Sequence, residues 1–265
     1  MQFSRVPIAV GIAALIAVQA SLAESRFSQV LALSVAETVD LLQQGRQQAE
    51  QGQLEPAIAT YTQLIQSEPD NADAYLYRGI AYHDIGDYQR AIDDFSAALQ
   101  IRPDHAQTLY NRGEAYSHLA NAQAAIADLT RVIELDPDFA QAYLDRGVVF
   151  AATGQMRQAL SDLDQMVALA PDNADAYYNR GKVHTELGNT AAAIADFDTA
   201  IQLNPELAEA HGNRGLLRYE AGNPQAALED LEQAADLFQA RGDQQGYEQT
   251  LFFIQQVQRA IETNN

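Results

Sequence analysis

The sequence predicts an all-α chain of stacked helix-turn-helix units, on three observations. A triplet recurs every 34 residues, as Tyr77-Arg78-Gly79, Asn111-Arg112-Gly113, Asp145-Arg146-Gly147, Asn179-Arg180-Gly181 and Asn213-Arg214-Gly215. A second ladder, Pro69, Pro103, Pro137, Pro171 and Pro205, runs on the same step. Two ladders sharing a period of this size mark stacked supersecondary repeats. Within residues 72–105, Tyr75, Tyr82 and Ile85 and then Ala91, Ile92, Phe95, Ala98 and Leu99 fall at three- and four-residue spacing, the period of two amphipathic helices.

Residues 1–23 stand outside this periodicity. Met1 to Arg5 carries one positive charge, 6–18 is an uncharged apolar run, and Gln19 to Ala23 ends in small residues, the layout of a secretory signal peptide. Cleavage after Ala23, with Ser21 and Ala23 at the small-residue places, fits best, and cleavage after Ala20 is the alternative. An uncleaved anchor is the competing reading; against it, the run is shorter than the ~18 apolar residues a span needs, and Pro7 interrupts its start. Residues 24–37 read as an N-terminal tether ending in Ser34-Val35-Ala36-Glu37, the serine-to-glutamate spacing of a capping box.

Six copies of the unit then fit, at 38–71, 72–105, 106–139, 140–173, 174–207 and 208–241. In the second, Gly86-Asp87 supplies a left-handed helix stop and a helix-starting side chain, and Arg102-Pro103-Asp104 closes the hairpin. Gly79 lies inside the first helix at a cost of about 1 kcal/mol. Close approach is the expected compensation, with the alanine twelve residues later (Ala91, Ala125, Ala159, Ala193, Ala227) meeting the glycine across the hairpin. Residues 242–265 form a last helix: Gly242-Asp243 breaks the chain, and Tyr247, Leu251, Ile254, Val257 and Ile261 make one apolar stripe. A single apolar face suits a terminal cap; the alternative is a docking helix using Phe252 and Phe253.

A charged pair recurs with the repeat. Arg78, Arg112, Arg146, Arg180 and Arg214 are each followed sixteen residues later by Asp94, Asp128, Asp162, Asp196 and Asp230, and in the first copy both are lost together, to Gln44 and Thr60. Joint loss predicts that arginine and aspartate face each other across one hairpin as partly buried structural ion pairs, orienting helices more than stabilising them.

Composition narrows the function classes. The net charge of −20 repels nucleic acid and anionic lipid and favours a neutral or basic protein partner. Lys182 is the only lysine, so no basic patch can be built from lysines. With no cysteine there is no disulfide framework, lipid-attached cysteine or thiolate metal site. His83, His105, His118, His184 and His211 occupy no consistent place. The one metal constellation worth weighing, His83, Asp84, Glu114 and His118, is outweighed by the ordinary accumulation of carboxylates on an acidic face, and no metal or other cofactor is expected. No nucleophile-base motif or phosphate loop is present, so no enzyme is expected.

The recurring order of small residue, aromatic, small residue, aromatic and proline resembles the tetratricopeptide repeat over about three quarters of the chain. Departures are Ala120 for the inter-helix glycine, Gln239 for the closing proline, and His184 and Arg218 at an aromatic place; the first copy, with Gln44 and Gln48, fits least well. The resemblance implies a right-handed α-solenoid with a C-terminal capping helix, whose first helices line a concave groove. Carried over place by place, the groove would be lined by Leu42, Gln43 and Arg46, by Leu76, Tyr77, Ile80, His83 and Asp84, by Tyr110, Asn111, Glu114, Ser117 and His118, by Leu144, Asp145, Val148 and Ala151, by Tyr178, Asn179, Lys182, Thr185 and Glu186, and by Asn213, Leu216, Tyr219 and Glu220. The two-carboxylate clamp with which some members hold chaperone tails is missing. Asn111, Asn179 and Asn213 resemble the asparagine ladder with which others hold an extended backbone, an amide offering both donor and acceptor; Asp145 interrupts it. Tyr77, Tyr110, Tyr178 and Tyr219 would add rigid contact area.

The resemblance therefore implies a non-enzymatic scaffold holding a protein or peptide segment, for assembly or maintenance of an envelope or thylakoid membrane complex. Its place would be a periplasm or thylakoid lumen, with no membrane span left after processing. The alternative is a self-assembling protein, an oligomer in which the groove of one copy receives residues 24–37 or the terminal helix of another.

Overall fold

The computed structural model describes residue 38 and residues 40–263. The expected signal peptide at 1–23, the tether at 24–37 and its capping box lie outside the described residues. Every regular element among the described residues is an α-helix. The chain divides into two compact units, Met1–Pro103 and Asp104–Asn265.

In the first unit α1 covers 40–50, followed by α2 (Leu54–Ser67), α3 (Ala72–Asp84) and α4 (Tyr88–Ile101). Helices α2 and α3 pack together, as do α3 and α4. The starts are set by side chains: Asn71 accepts from the Ala74 amide at 3.0 Å and Asp87 from the Arg90 amide at 3.1 Å, each satisfying a donor that the first turn leaves free. Between α3 and α4 the chain reverses at Gly86, whose φ of +81° is open to a residue without a Cβ.

The second unit carries α5 (Ala106–His118), α6 (Ala122–Leu135), α7 (Ala140–Ala152), α8 (Met156–Leu169), α9 (Ala174–Glu186), α10 (Thr190–Leu203), α11 (Ala208–Glu220), α12 (Pro224–Ala240) and α13 (Gln244–Thr263). Each helix packs on the next, and the first helices α5, α7 and α9 also touch in sequence. This is the solenoid plan, in which each hairpin contacts its neighbours only. Ala120 takes the turn place held elsewhere by glycine and is the one non-glycine residue with positive φ among those described, at 56°. The last helix, α13, buries Ile254 and Val257 against the α12 residues Leu231 and Ala235.

The helix-interior glycines do make close approaches, but the alanine twelve residues on is not the first residue met. A Cβ on Gly79 would lie 2.7 Å from the Phe95 ring, and one on Gly181 would lie 2.8 Å from the Phe197 ring. At Gly113, Gly147 and Gly215 the first atom met is Cγ of Leu129, Leu163 or Leu231 at 3.0–3.1 Å, and the alanine contributes only its backbone oxygen. The physical reason is size. The large residue sixteen positions on needs the volume a side chain would occupy, so the glycine admits a fully buried ring or leucine to the core.

The same sixteen-residue offset brings the charges together. Arg78, Arg146, Arg180 and Arg214 each donate Nε and Nη2 to the two oxygens of Asp94, Asp162, Asp196 and Asp230 at 2.5–2.9 Å, and Arg112 does so with Asp128 at 2.7 and 2.8 Å. The bidentate fork uses the planar guanidinium to fix the angle between two helices. The remaining nitrogen reaches back to the preceding hairpin: Nη1 donates to Thr62 from Arg78, to Thr130 from Arg146, to Asp164 from Arg180 and to Asp198 from Arg214, at 2.6–3.0 Å. One side chain thus ties three helices. The hydrogen bonds to aspartate raise the Arg78 guanidinium above its ordinary value, the bond to Asp94 being the largest cause.

Candidate functional site

The second unit carries a cleft of about 490 Å³ along its first helices. That volume falls within the ~300–1,000 Å³ typical of ligand sites. Its floor comes from both helices of the hairpins, with Val148 and Ala151 of α7, Met156 and Leu163 of α8, Phe197 of α10 and Leu216 of α11. Its polar rim comes from the first helices alone: Asn179, Lys182, Thr185 and Glu186 on α9, and Asn213 and Glu220 on α11. The arginine forks hold these helices in register, and the glycine contacts bring Leu163 and Phe197 up beneath them.

The seven groove residues expected from sequence are placed in four ways. Asn179 and Asn213 line the cleft. Asn179 donates Nδ2 to the Asp175 carbonyl at 2.8 Å, and Asn213 donates Nδ2 to the Tyr178 hydroxyl at 3.5 Å, so each amide nitrogen is engaged while neither amide oxygen receives a donor from the described residues. Tyr178, Tyr110 and Tyr219 are turned into packing. Tyr178 lies 6.0 Å from Phe197, ring to ring. Tyr110 is 9% exposed and packs 5.0 Å from Phe139, and Tyr219 joins the cluster that α12 and α13 enclose. Tyr77, in the first unit, stacks on Tyr61 with centroids 6.1 Å apart, beneath Arg46. Asn111 accepts from Gln107 at 2.8 Å on its own helix.

Asp145, which interrupts the asparagine ladder, has a specific role in the geometry. Tyr110 donates its hydroxyl to Asp145 Oδ2 at 2.7 Å, and Gln141 donates to Oδ1 at 3.0 Å. Burial pushes the Asp145 carboxyl up. Burial and then the nearby Asp145 charge push Glu114 up as well, and the Tyr110 hydroxyl is raised by its own burial and by Asp145.

Lys182 projects over the Tyr178 ring, its Nζ 5.3 Å from the centroid. A cation over an aromatic face is attracted by the ring quadrupole. The cleft carboxylates Glu186 and Glu220 make no ion pair with any described residue, in contrast to the five fork aspartates. Among the described residues no group of three or more histidine, aspartate or glutamate side chains is arranged to hold a metal ion, and no helix is long and apolar enough to cross a membrane.

The residues at departure positions show a rule that sequence reading missed. Where the aromatic of the first helix is lost, its replacement turns onto the buried residue twelve positions on. Gln48 accepts from Thr60 at 2.7 Å, His184 lies 3.9 Å from Asp196, and Arg218 donates to Asp230 at 2.9 Å. The signal was present, since in each case a polar residue replaces an aromatic in register with a polar one.

Comparison with known proteins agrees with the helix-pair architecture. Family models described as tetratricopeptide repeat match residues 42–106, 82–145 and 174–207, together just over half of the chain. No curated protein matches the sequence. Among solved structures, MamA is similar with 26% identity and a TM-score of 0.59 over 62% of this chain and 96% of that one. YrrB, described as a TPR protein with an unusual peptide-binding site, shares 21% identity at a TM-score of 0.59, covering 71% of this chain and 96% of its own. PilF of Pseudomonas aeruginosa shares 16% identity at a TM-score of 0.68, covering 80% and 95%. At these last two identities the likeness is one of fold. With the period, the paired helices and the family matches in agreement, the chain belongs to the tetratricopeptide repeat family.

Proposed function

We propose that this protein is a non-enzymatic scaffold whose concave face holds a segment of another protein. The observation that carries this reading is the cleft over α7, α9 and α11. It combines an apolar floor with amide oxygens and carboxylates that the described fold leaves unpaired. Apolar area gives such a site its affinity, and a few polar groups fix the orientation of what binds. YrrB, whose described property is a peptide-binding site, illustrates what the fold can carry. The signal-like layout of residues 1–23 supports export to a periplasm or thylakoid lumen, and service to an envelope or membrane complex there.

The test is positional. A photo-crosslinking residue at Lys182, inside the cleft, should trap one defined protein in cells, while the same residue at the exposed Gln165 of α8 should not. Equal trapping from both positions would refute a groove-specific scaffold. A trapped species that is a second copy of the chain would replace the scaffold reading by self-assembly.

A further inference from the structure

The charges that the cleft leaves unpaired indicate what its occupant carries. Every fork aspartate is matched by an arginine. Inside the cleft the balance is reversed. Glu186 and Glu220 have no cationic partner among the described residues, and Lys182, the one cation there, lies over Tyr178. The Asn179 and Asn213 nitrogens are engaged within the fold, which leaves their oxygens to accept. The places on α5 and α7 equivalent to Lys182 and Asn179 hold the acidic residues Glu114 and Asp145, so no further cation stands on this succession of helices at those places. A cleft with an apolar floor and an acceptor-rich, acidic rim complements a donor-rich, cationic ligand.

We infer that the cleft over α7, α9 and α11 selects a segment in which a bulky apolar side chain stands next to lysine or arginine. The apolar side chain lies on Val148, Met156, Leu163 and Leu216, and the basic side chain meets Glu186 and Glu220. This rests on the groove-binding reading and adds to it the chemistry of the segment. Repulsion excludes acidic segments, since Lys182 offers one positive charge against two carboxylates and the field of a chain at −20.

Three acetylated, amidated glycine-serine peptides with central Lys-Leu-Lys, Glu-Leu-Glu or Lys-Ser-Lys, titrated into the full chain by fluorescence anisotropy, test this. The Lys-Leu-Lys peptide should saturate and bind at least about tenfold more tightly than either other peptide, as expected for two rim charge pairs plus one buried leucine. Replacing both exposed carboxylates, Glu186→Gln with Glu220→Gln, should remove most of the preference for lysine over glutamate. Val148→Trp, at a position 40% exposed, should fill the cleft and abolish binding without disturbing the core. If Glu-Leu-Glu binds as well as Lys-Leu-Lys, or if the double variant keeps the preference, the charge selection is wrong and the groove reading stands. If no peptide saturates, or if binding survives Val148→Trp, both readings fall.

Discussion

Arg180 holds two carboxylates of different burial, which allows one guanidinium to serve as its own control. The Asp196 side chain is 8% exposed and takes two charge-assisted hydrogen bonds at 2.7 and 2.9 Å, while Asp164 is 53% exposed and takes one at 2.9 Å. Removing the buried partner leaves the fork of a guanidinium that is itself only 20% exposed without its acceptor, and breaking such a pair costs about 3–5 kcal/mol. An exposed pair is worth about 0.2–1 kcal/mol. Because Asp164 remains to satisfy one nitrogen, the low end applies, and Asp196→Asn should cost about 3 kcal/mol against less than about 1 kcal/mol for Asp164→Asn. With a urea dependence of about 2 kcal/mol/M, the midpoints should fall by roughly 1.5 M and by less than about 0.5 M. Hydrogen exchange should place the Asp196→Asn loss in α9 and α10, since solenoid hairpins open locally. Equal midpoints for the two variants, or a larger loss at Asp164, would refute the assignment of the fork as the element that orients the hairpin.

Further variants check other parts of the account. Gly181→Ala places a Cβ 2.8 Å from the buried Phe197 ring, so it should destabilise by about 1–3 kcal/mol in thermal unfolding, although alanine is the better helix former. Ala120→Gly should stabilise by about 1 kcal/mol by relieving a left-handed conformation at a non-glycine residue. Burial is the largest cause and holds the His211 imidazole below its ordinary value of 6.5, with the Pro205 carbonyl opposing it, Arg214 adding to it, and Asp230 and Arg218 following with opposite signs. Its neutral form therefore contributes stability that is full above about pH 6.5 and is lost as pH falls through the lower folded-state value; His211→Gln should flatten that part of the stability profile. Asp145→Asn keeps the acceptor for Tyr110 and removes a carboxylate that burial disfavours, so it should raise the unfolding midpoint at pH 7, with the gain shrinking as the wild-type carboxyl becomes protonated at lower pH.

The fold was legible because repetition averages out local ambiguity. A single Gly79 inside a helical pattern argues against a helix, whereas five glycines in register argue for a packing requirement that overrides propensity. Which residue meets the glycine was less legible, because offsets of twelve and sixteen both place a residue opposite it. The structure favours the larger side chain, Phe95 or Leu129, and the alanine contributes a backbone oxygen only where that side chain is leucine. The backward hydrogen bond of each arginine was hidden by chemistry, since its acceptors are Thr62, Thr130, Asp164 and Asp198, a mixture that no single-residue ladder reveals.

The groove was legible in part for a related reason. Spacing puts Asn179, Lys182, Asn213 and Leu216 on successive first helices, but it does not tell a tyrosine that faces a partner from one that faces the core. Tyr110 and Tyr178 share a helix face with groove residues and still turn inward, where Asp145 and Asn213 engage their hydroxyls. A tyrosine with an acceptor or donor one hairpin away finds its partner within the fold, and this depends on pairs 35 residues apart, one more than the repeat period.

Hydrogen exchange on the chain, alone and saturated with the protein trapped from Lys182, locates the surface that the partner covers. Slowed exchange should concentrate in α7, α9 and α11, whose side chains line the cleft, and should disappear in the Val148→Trp variant. Protection confined to α13, around the exposed Phe252, or to the outer faces of α8 and α10, would contradict it and make the terminal helix or the convex side the working surface.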